Sequence, residues 1–126
     1  MEFQYRPAQP EDAPAIRLVA LDSWHVTYRD IFTPDYIAQF LDRAYSVEAL
    51  EHSIQRPGRI FEVATTLVGK VVGFMQYSNS GDGSELTRIY VHPNYFRCGI
   101  GGNMIRRLED QLRLGRISLF LLCSQT

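Results

Sequence analysis

One junction constrains this chain more than any other. Residues 84–92 form a strand-like run, and a helical repeat begins at Ile100; at the join Gly99, Gly101 and Gly102 fall within four positions. Glycine lowers helix stability by about 1 kcal/mol relative to alanine, so three of them at a helix start require a cause. Two causes fit the local sequence. A tight strand-to-helix turn needs positive φ. Alternatively, positions without Cβ let an anion reach the N–H groups that begin a helix, which lack internal partners and carry the positive end of the helix dipole.

The rest of the chain supplies the frame. Residues 2–8 read as a short strand with Phe3 and Tyr5 on one face. Asp12 is expected to cap a helix with Pro14 in its first turn, followed by Ile16, Val19, Ala20 and Trp24 at helical spacing. Thr33 and Ser46 are expected to cap two further helices, in the segments 32–41 and 46–55, the second stopping before Pro57. The period then changes: 59–67 and 70–78 flank Val68-Gly69, a hairpin signal, and 84–92 is a third strand after turn residues 79–83. After the glycines, Ile100, Met104, Ile105, Leu108 and Leu112 form one stripe, with Arg106, Arg107, Glu109 and Asp110 on the polar side. Gly115 suits a C-cap, and 116–124 reads as a last strand, apolar on both faces as a buried parallel strand is. The order implies an α/β (α+β) fold: a mixed, mostly antiparallel twisted sheet with flanking helices. The glycine loop then lies at the carboxyl end of a strand, where open sheets bind ligands.

Length and composition narrow the function classes. The 126 residues suit one domain spanning 1–126, and 45% hydrophobic with 21% charged residues is ordinary for a globular chain. A net charge of −1 gives no reason to expect nucleic acid or membrane as partner. The N-terminus lacks a basic region followed by an apolar core, and Cys98 and Cys123 have no metal-ligand spacing, so a reduced, cytoplasmic protein without metal is expected.

At this point the residues resemble the GNAT superfamily of acetyl-coenzyme A-dependent N-acetyltransferases, over nearly the whole chain. "VGKVVGFMQYS" resembles the family's second and third strands, "ELTRIYVHPNY" its fourth, and "FRCGIGGNMI" its pyrophosphate loop, usually Gln/Arg-x-x-Gly-x-Gly/Ala. Two departures stand out. The family's Gln or Arg position holds Phe96, with the basic residue next door at Arg97. The family also continues past its fifth strand with a helix of the type Asn-x-x-Ala-x-x-x-Tyr and two closing strands, whereas this sequence ends at "LLCSQT", so the fold is expected to be C-terminally truncated. The tyrosine that often protonates the leaving thiolate has no counterpart, and low turnover is expected.

The resemblance implies roles. Acetyl-coenzyme A is the co-substrate. Strand N–H groups at Ile89, Tyr90 and Val91 hold its pantetheine and thioester, and the loop Arg97, Cys98, Gly99, Ile100, Gly101 and Gly102 holds its pyrophosphate. Cys98 contributes its N–H only, since no partner constellation makes it a nucleophile. Glu85 is the candidate general base, acting through water, or else a solvated carboxylate at a strand entrance. His92 is the other candidate base but sits in a His-Pro turn, where a surface histidine is expected; His25 and His52 carry no pattern. Trp24 and Tyr28, with Tyr36 and Tyr45, fall where the family builds one wall of the acceptor site; the alternative is core aromatics, which helical spacing more often marks.

The implied activity is transfer of acetyl to an amine of a small molecule or peptide, by direct attack in a ternary complex. The alternative is a non-catalytic or weakly active module that keeps the coenzyme A wedge. A nucleotide-binding reading fails because the loop lacks a Gly-Lys-Ser/Thr ending and no acidic residue ends a strand about 20 residues on. Finally, "ISLFLLCS" would be an apolar edge strand with no charge or proline to blunt it, so a homodimer through 117–123 is expected.

Overall fold

The structure is a computed structural model that describes residues 2–56, 59–79 and 85–114. The expected last strand, with Gly115, Cys123 and the homodimer contact at 117–123, lies outside the described residues.

Among the described residues four strands form one sheet in the order β1-β2-β3-β4: β1 Gln4–Pro7, β2 Arg59–Thr65, β3 Val71–Asn79 and β4 Glu85–Val91. Every neighbouring pair is antiparallel. Helices α1 (Ala13–Tyr28), α2 (Pro34–Ala44) and α3 (Val47–Gln55) connect β1 to β2, and α4 (Ile100–Leu114) follows β4. The sheet separates two cores. Ile16, Ile37, Leu41 and Leu50 of α1–α3 pack with Val63 and Phe74 on one face. Ile100, Met104, Leu108 and Leu112 of α4 pack with Met75, Ile89 and Val91 on the other. The period-2 alternation of the strands produces this division, since Phe74 and Met75 are neighbours in sequence and belong to different cores.

The hairpin between β2 and β3 closes where Val68-Gly69 indicated, with Gly69 at φ +93° and its N–H bonded to Thr66 O. The side chain of Thr33 accepts from Tyr36 N–H and that of Ser46 from Ala49 N–H, so both helix caps form. Asp12 departs from expectation. A short 3-10 turn, Pro10–Asp12, precedes α1, and the Asp12 side chain makes no cap bond to α1. Its carboxylate instead accepts from Gln9 N–H at 2.7 Å and takes both Arg6 Nη atoms at 2.7 and 2.9 Å. A charged fork with two N–H donors outcompetes a single amide at the helix end.

Arg107 also departs from the polar side assigned to it. It forks onto Glu62 of β2 at 2.9 and 3.1 Å, and Glu62 is only 6% exposed. The (CH2)3 stem lets an arginine on the rim of an apolar stripe reach the sheet beside it. Glu62 holds the guanidinium above its ordinary value, chiefly through the hydrogen bonds.

Two predictions follow from this packing. Phe74 is fully buried between Phe61, Tyr45 and Tyr90, so Phe74→Ala is expected to cost about 3–5 kcal/mol in urea denaturation; a loss below about 1 kcal/mol contradicts this core assignment. The Arg6 hydrogen bonds hold the Asp12 carboxyl below the usual carboxylate range, against the opposing effect of burial. A depressed carboxyl contributes stability above its unfolded value, about 3.9, and loses it as pH falls through the folded value. Asp12→Asn is therefore expected to narrow the stability difference between neutral and strongly acidic buffer, and an unchanged difference refutes the coupling.

Candidate functional site

The junction between β4 and α4 contains two left-handed residues. Arg97 has φ +66° and Gly99 has φ +82°. Asn103 N–H bonds to Gly99 O at 3.0 Å, which makes Gly99 the residue from which α4 starts. The N–H groups of Ile100, Gly101 and Gly102 thus precede the first helical bond. Left-handed residues before a helix start can turn successive N–H groups into a common concavity, or nest, of the kind that receives anions. Gly99 supplies the positive φ of the turn, and Gly102 places no Cβ over the helix start. Ile100 anchors the turn, being 1% exposed in the core under α4.

This loop and the end of β4 line one cleft of ≈ 520 Å³, to which Val91, Arg97, Gly99, Ile100, Gly101 and Gly102 contribute. Cys98 is exposed and free. Arg97 is exposed too, with its side chain in solvent beside the nest.

The strand edge adds donors. His92 N–H bonds to Val72 O at 2.8 Å. Along an antiparallel strand successive N–H groups alternate in direction, and the register pairs Phe74 with Tyr90 and Gln76 with Arg88. Arg88, Tyr90 and His92 therefore turn their N–H groups to β3, while Ile89 and Val91 turn theirs to the other edge. Of the three strand residues singled out in the sequence, Tyr90 faces differently from its neighbours. Its backbone serves the sheet, and its side chain lies among the aromatics of the α1–α3 face.

There the Tyr90 hydroxyl accepts from Trp24 Nε1 at 3.2 Å. Trp24 stacks on Phe40 at 4.5 Å and lies 4.6 Å from Tyr28. Trp24 and Tyr28 are both half-buried at the edge of the core, whereas Tyr45 is 3% exposed and Tyr36 45% exposed. Burial pushes the Tyr45 hydroxyl well above its ordinary value, against the opposing Arg88 charge.

Glu85 begins β4, paired with Asn79 across the hairpin; its side chain lies outside what the structure describes. His92 departs from the expected surface histidine. Its Nε2 meets Asp22 Oδ2 of α1 at 2.8 Å, and its Nδ1 accepts from Asn94 N–H at 3.1 Å. The pair borders a second cleft of ≈ 400 Å³, between α1 and the β2–β3 turn, shared with Glu11, Asp12 and Lys70. A partner 70 positions away in sequence leaves no local signal. Among the described residues no group of three or more His, Cys, Asp or Glu is placed to hold a metal, and no helix is long and apolar enough to cross a membrane.

Comparison with known proteins gives this geometry a setting. The model of the acetyltransferase (GNAT) family matches residues 25–125. A spermidine N(1)-acetyltransferase of Thermoplasma acidophilum is 27% identical over 116 residues, 90% of this chain and 72% of the relative. Among solved structures, the PaiA N-acetyltransferase of the same organism, in complex with coenzyme A, superposes with a TM-score of 0.84 at 24% identity, over 93% of this chain and 76% of that one. A GNAT family acetyltransferase from Brucella melitensis in complex with acetyl-CoA gives 0.60 at 23% identity, over 90% and 70%. This chain belongs to the acetyltransferase (GNAT) family.

The loop conformation is itself testable. A left-handed backbone costs an ordinary residue about 1–2 kcal/mol, and suits a β-branched one worst. Arg97→Val is expected to melt lower than Arg97→Gly, whose backbone takes φ +66° without strain. Equal melting temperatures would mean that Arg97 is not held left-handed in solution.

Proposed function

We propose that this chain, an acetyl-coenzyme A-dependent N-acetyltransferase by family, moves the acetyl group to an amine of a small molecule by direct attack, with both substrates bound at once. One observation carries the reading: the outward N–H groups of Ile89 and Val91 lead along β4 into the cleft that ends at the Arg97–Gly102 nest. A long ligand with an anionic end and an amide-containing arm fits donors in that order. The pyrophosphate is met by the N–H groups of Ile100, Gly101 and Gly102 at the positive end of α4, with the Arg97 guanidinium beside them. The arm pairs with the β4 edge as an added strand does.

The chemistry asked of the protein is modest. Orienting amine and thioester in one complex supplies most of the acceleration, and a fixed strand N–H polarises the thioester carbonyl. Trp24 and Tyr28 form the acceptor wall; the Trp24–Tyr90 hydrogen bond fixes the tryptophan ring. Glu85 removes the amine proton through water. The relative's name, a spermidine N(1)-acetyltransferase, supports a small-molecule amine as acceptor.

Calorimetry with coenzyme A tests the site. Binding in the micromolar range is expected, with a loss of tenfold or more in Gly102→Glu. Gly102 is exposed, and a Cβ there would meet Arg106 Nη1 only at 3.7 Å, so the variant should fold normally while placing negative charge at the nest. Equal binding by the two proteins, or no binding by the wild type, defeats the nest assignment. Release of free thiol with a panel of amines separates an enzyme from a module that binds coenzyme A without turnover.

A further inference from the structure

A second charged feature lies on the other face of the sheet, toward the end of β3. Register fixes its layout. Gln76 of β3 pairs with Phe61 of β2 and Arg88 of β4, and Arg59 of β2 pairs with Ser78, two positions along β3. Arg59, Gln76 and Arg88 therefore share the face covered by α1–α3, on adjacent rungs. Arg56 ends α3 three residues before Arg59. Arg88 stacks its guanidinium over the Tyr45 ring at 4.8 Å.

Neither the charge nor the hydrogen bonding here is closed. Among the described residues no carboxylate pairs with Arg56, Arg59 or Arg88, although Arg6, Arg17 and Arg107 each have one. Arg88 gives two N–H groups, from Nε at 3.0 Å and from Nη2, to the single oxygen Gln76 Oε1. The Tyr45 hydroxyl also makes side-chain hydrogen-bond contact with Arg88, so the fork of five N–H donors is only partly filled among the described residues. Gln76 is 0% exposed, and its Nε2 has no hydrogen-bond partner among the described residues. The assignment of its amide is not arbitrary, because a guanidinium has only donors and the oxygen must face it. Burial, then the Arg56 and Arg88 charges, hold the Arg59 guanidinium below its ordinary value. Like charges gathered around a buried amide with spare donors are costly until an anion is added. The shape of the deficit, forked donors beside an aromatic face, suits a planar carboxylate.

We propose that Arg59 and Arg88, with Arg56 and the Gln76 amide, form a carboxylate subsite for the acceptor, so that the amine acetylated by this chain is an amino acid or a similar carboxylate-bearing amine. The assignment as an acceptor subsite rests on the acetyl-transfer reading above; the anion site does not. Arg88 and Tyr90 stand two apart on β4, on the face that also carries Trp24. A carboxylate held at Arg88 thus leaves its amine to extend toward Ile89 and Val91, where the thioester is placed. A polycation such as spermidine would meet three guanidinium groups there and be repelled.

Two experiments test it. In the first, glutarate is titrated into the protein and followed by the fluorescence of Trp24, the sole tryptophan; this needs no coenzyme A and no turnover. Saturable binding is expected, weakened about tenfold or more by Arg88→Met and by Arg59→Gln, with urea midpoints confirming that both variants fold. Arg88→Lys, which keeps the charge, is expected to bind between wild type and Arg88→Met. In the second, thiol release is compared for β-alanine, 4-aminobutyrate and 5-aminovalerate against their amides and spermidine. The best carboxylate is expected to exceed its amide about ten- to a hundredfold in kcat/KM, with the loss in Arg88→Met falling on KM while coenzyme A affinity is kept. No saturation by glutarate, or amides and spermidine acetylated as well as the carboxylates, overturns the proposal. Arginine-dependent glutarate binding in a protein that binds no coenzyme A upholds the anion site and rejects the acetyl-transfer reading instead.

Discussion

The docking of the first turn of α4 onto β3 and β4 sets where everything else in the candidate site can be. Gly73 makes it possible. A Cβ there would lie 3.1 Å from Tyr90 O, 3.4 Å from Ile100 Cγ2 and 3.5 Å from Met104 Cε. The helix therefore sits directly against the strand, and Ile100 and Met104 fill the space a side chain would take. With Ile100 buried, the first turn of α4 is held beside the end of β4, where Val91 and the loop line one cleft. The strand edge and the nest then form one continuous surface. A glycine inside a strand marks this kind of close backbone approach.

Much of this was legible in the sequence because the signals are local. The change from helical to strand period near residue 59, the Thr33 and Ser46 caps, the Gly69 turn and the α4 stripe all depend on neighbours within a few positions. The loop was legible for the same reason: three glycines at a helix start have few physical explanations. What stayed hidden was long-range pairing. Asp22 with His92, Glu62 with Arg107 and Trp24 with Tyr90 join residues 70, 45 and 66 positions apart. No periodicity encodes such partners. Asp12 shows a subtler failure, since a correct capping residue was claimed by an arginine six positions earlier. Gly73 carried a signal that could have been used, as an interior strand glycine opposite the strand that leads into the loop.

The two faces of the sheet divide the work. The α4 face is closed: its core is apolar, and its buried carboxylate, Glu62, is met by Arg107 and Gln111. The α1–α3 face is closed near Phe61, Val63 and Phe74 but becomes cationic and aromatic toward Gln76 and Arg88. β4 connects the two functions, since alternate residues send side chains to one face or the other while Ile89 and Val91 send N–H groups off the edge. In this chain the family fold carries, on the α1–α3 face, the proposed carboxylate subsite.

The central claim is that one backbone surface, from Ile89 to Gly102, receives coenzyme A. Amide chemical shifts of the isotope-labelled protein, followed as coenzyme A is added, test it most directly. The account predicts that the largest changes fall on Ile89, Val91 and the amides from Gly99 to Gly102, with Asp22 and the β2–β3 turn undisturbed. Changes centred on Asp22, Lys70 and His92, or a spectrum that does not move, would contradict it.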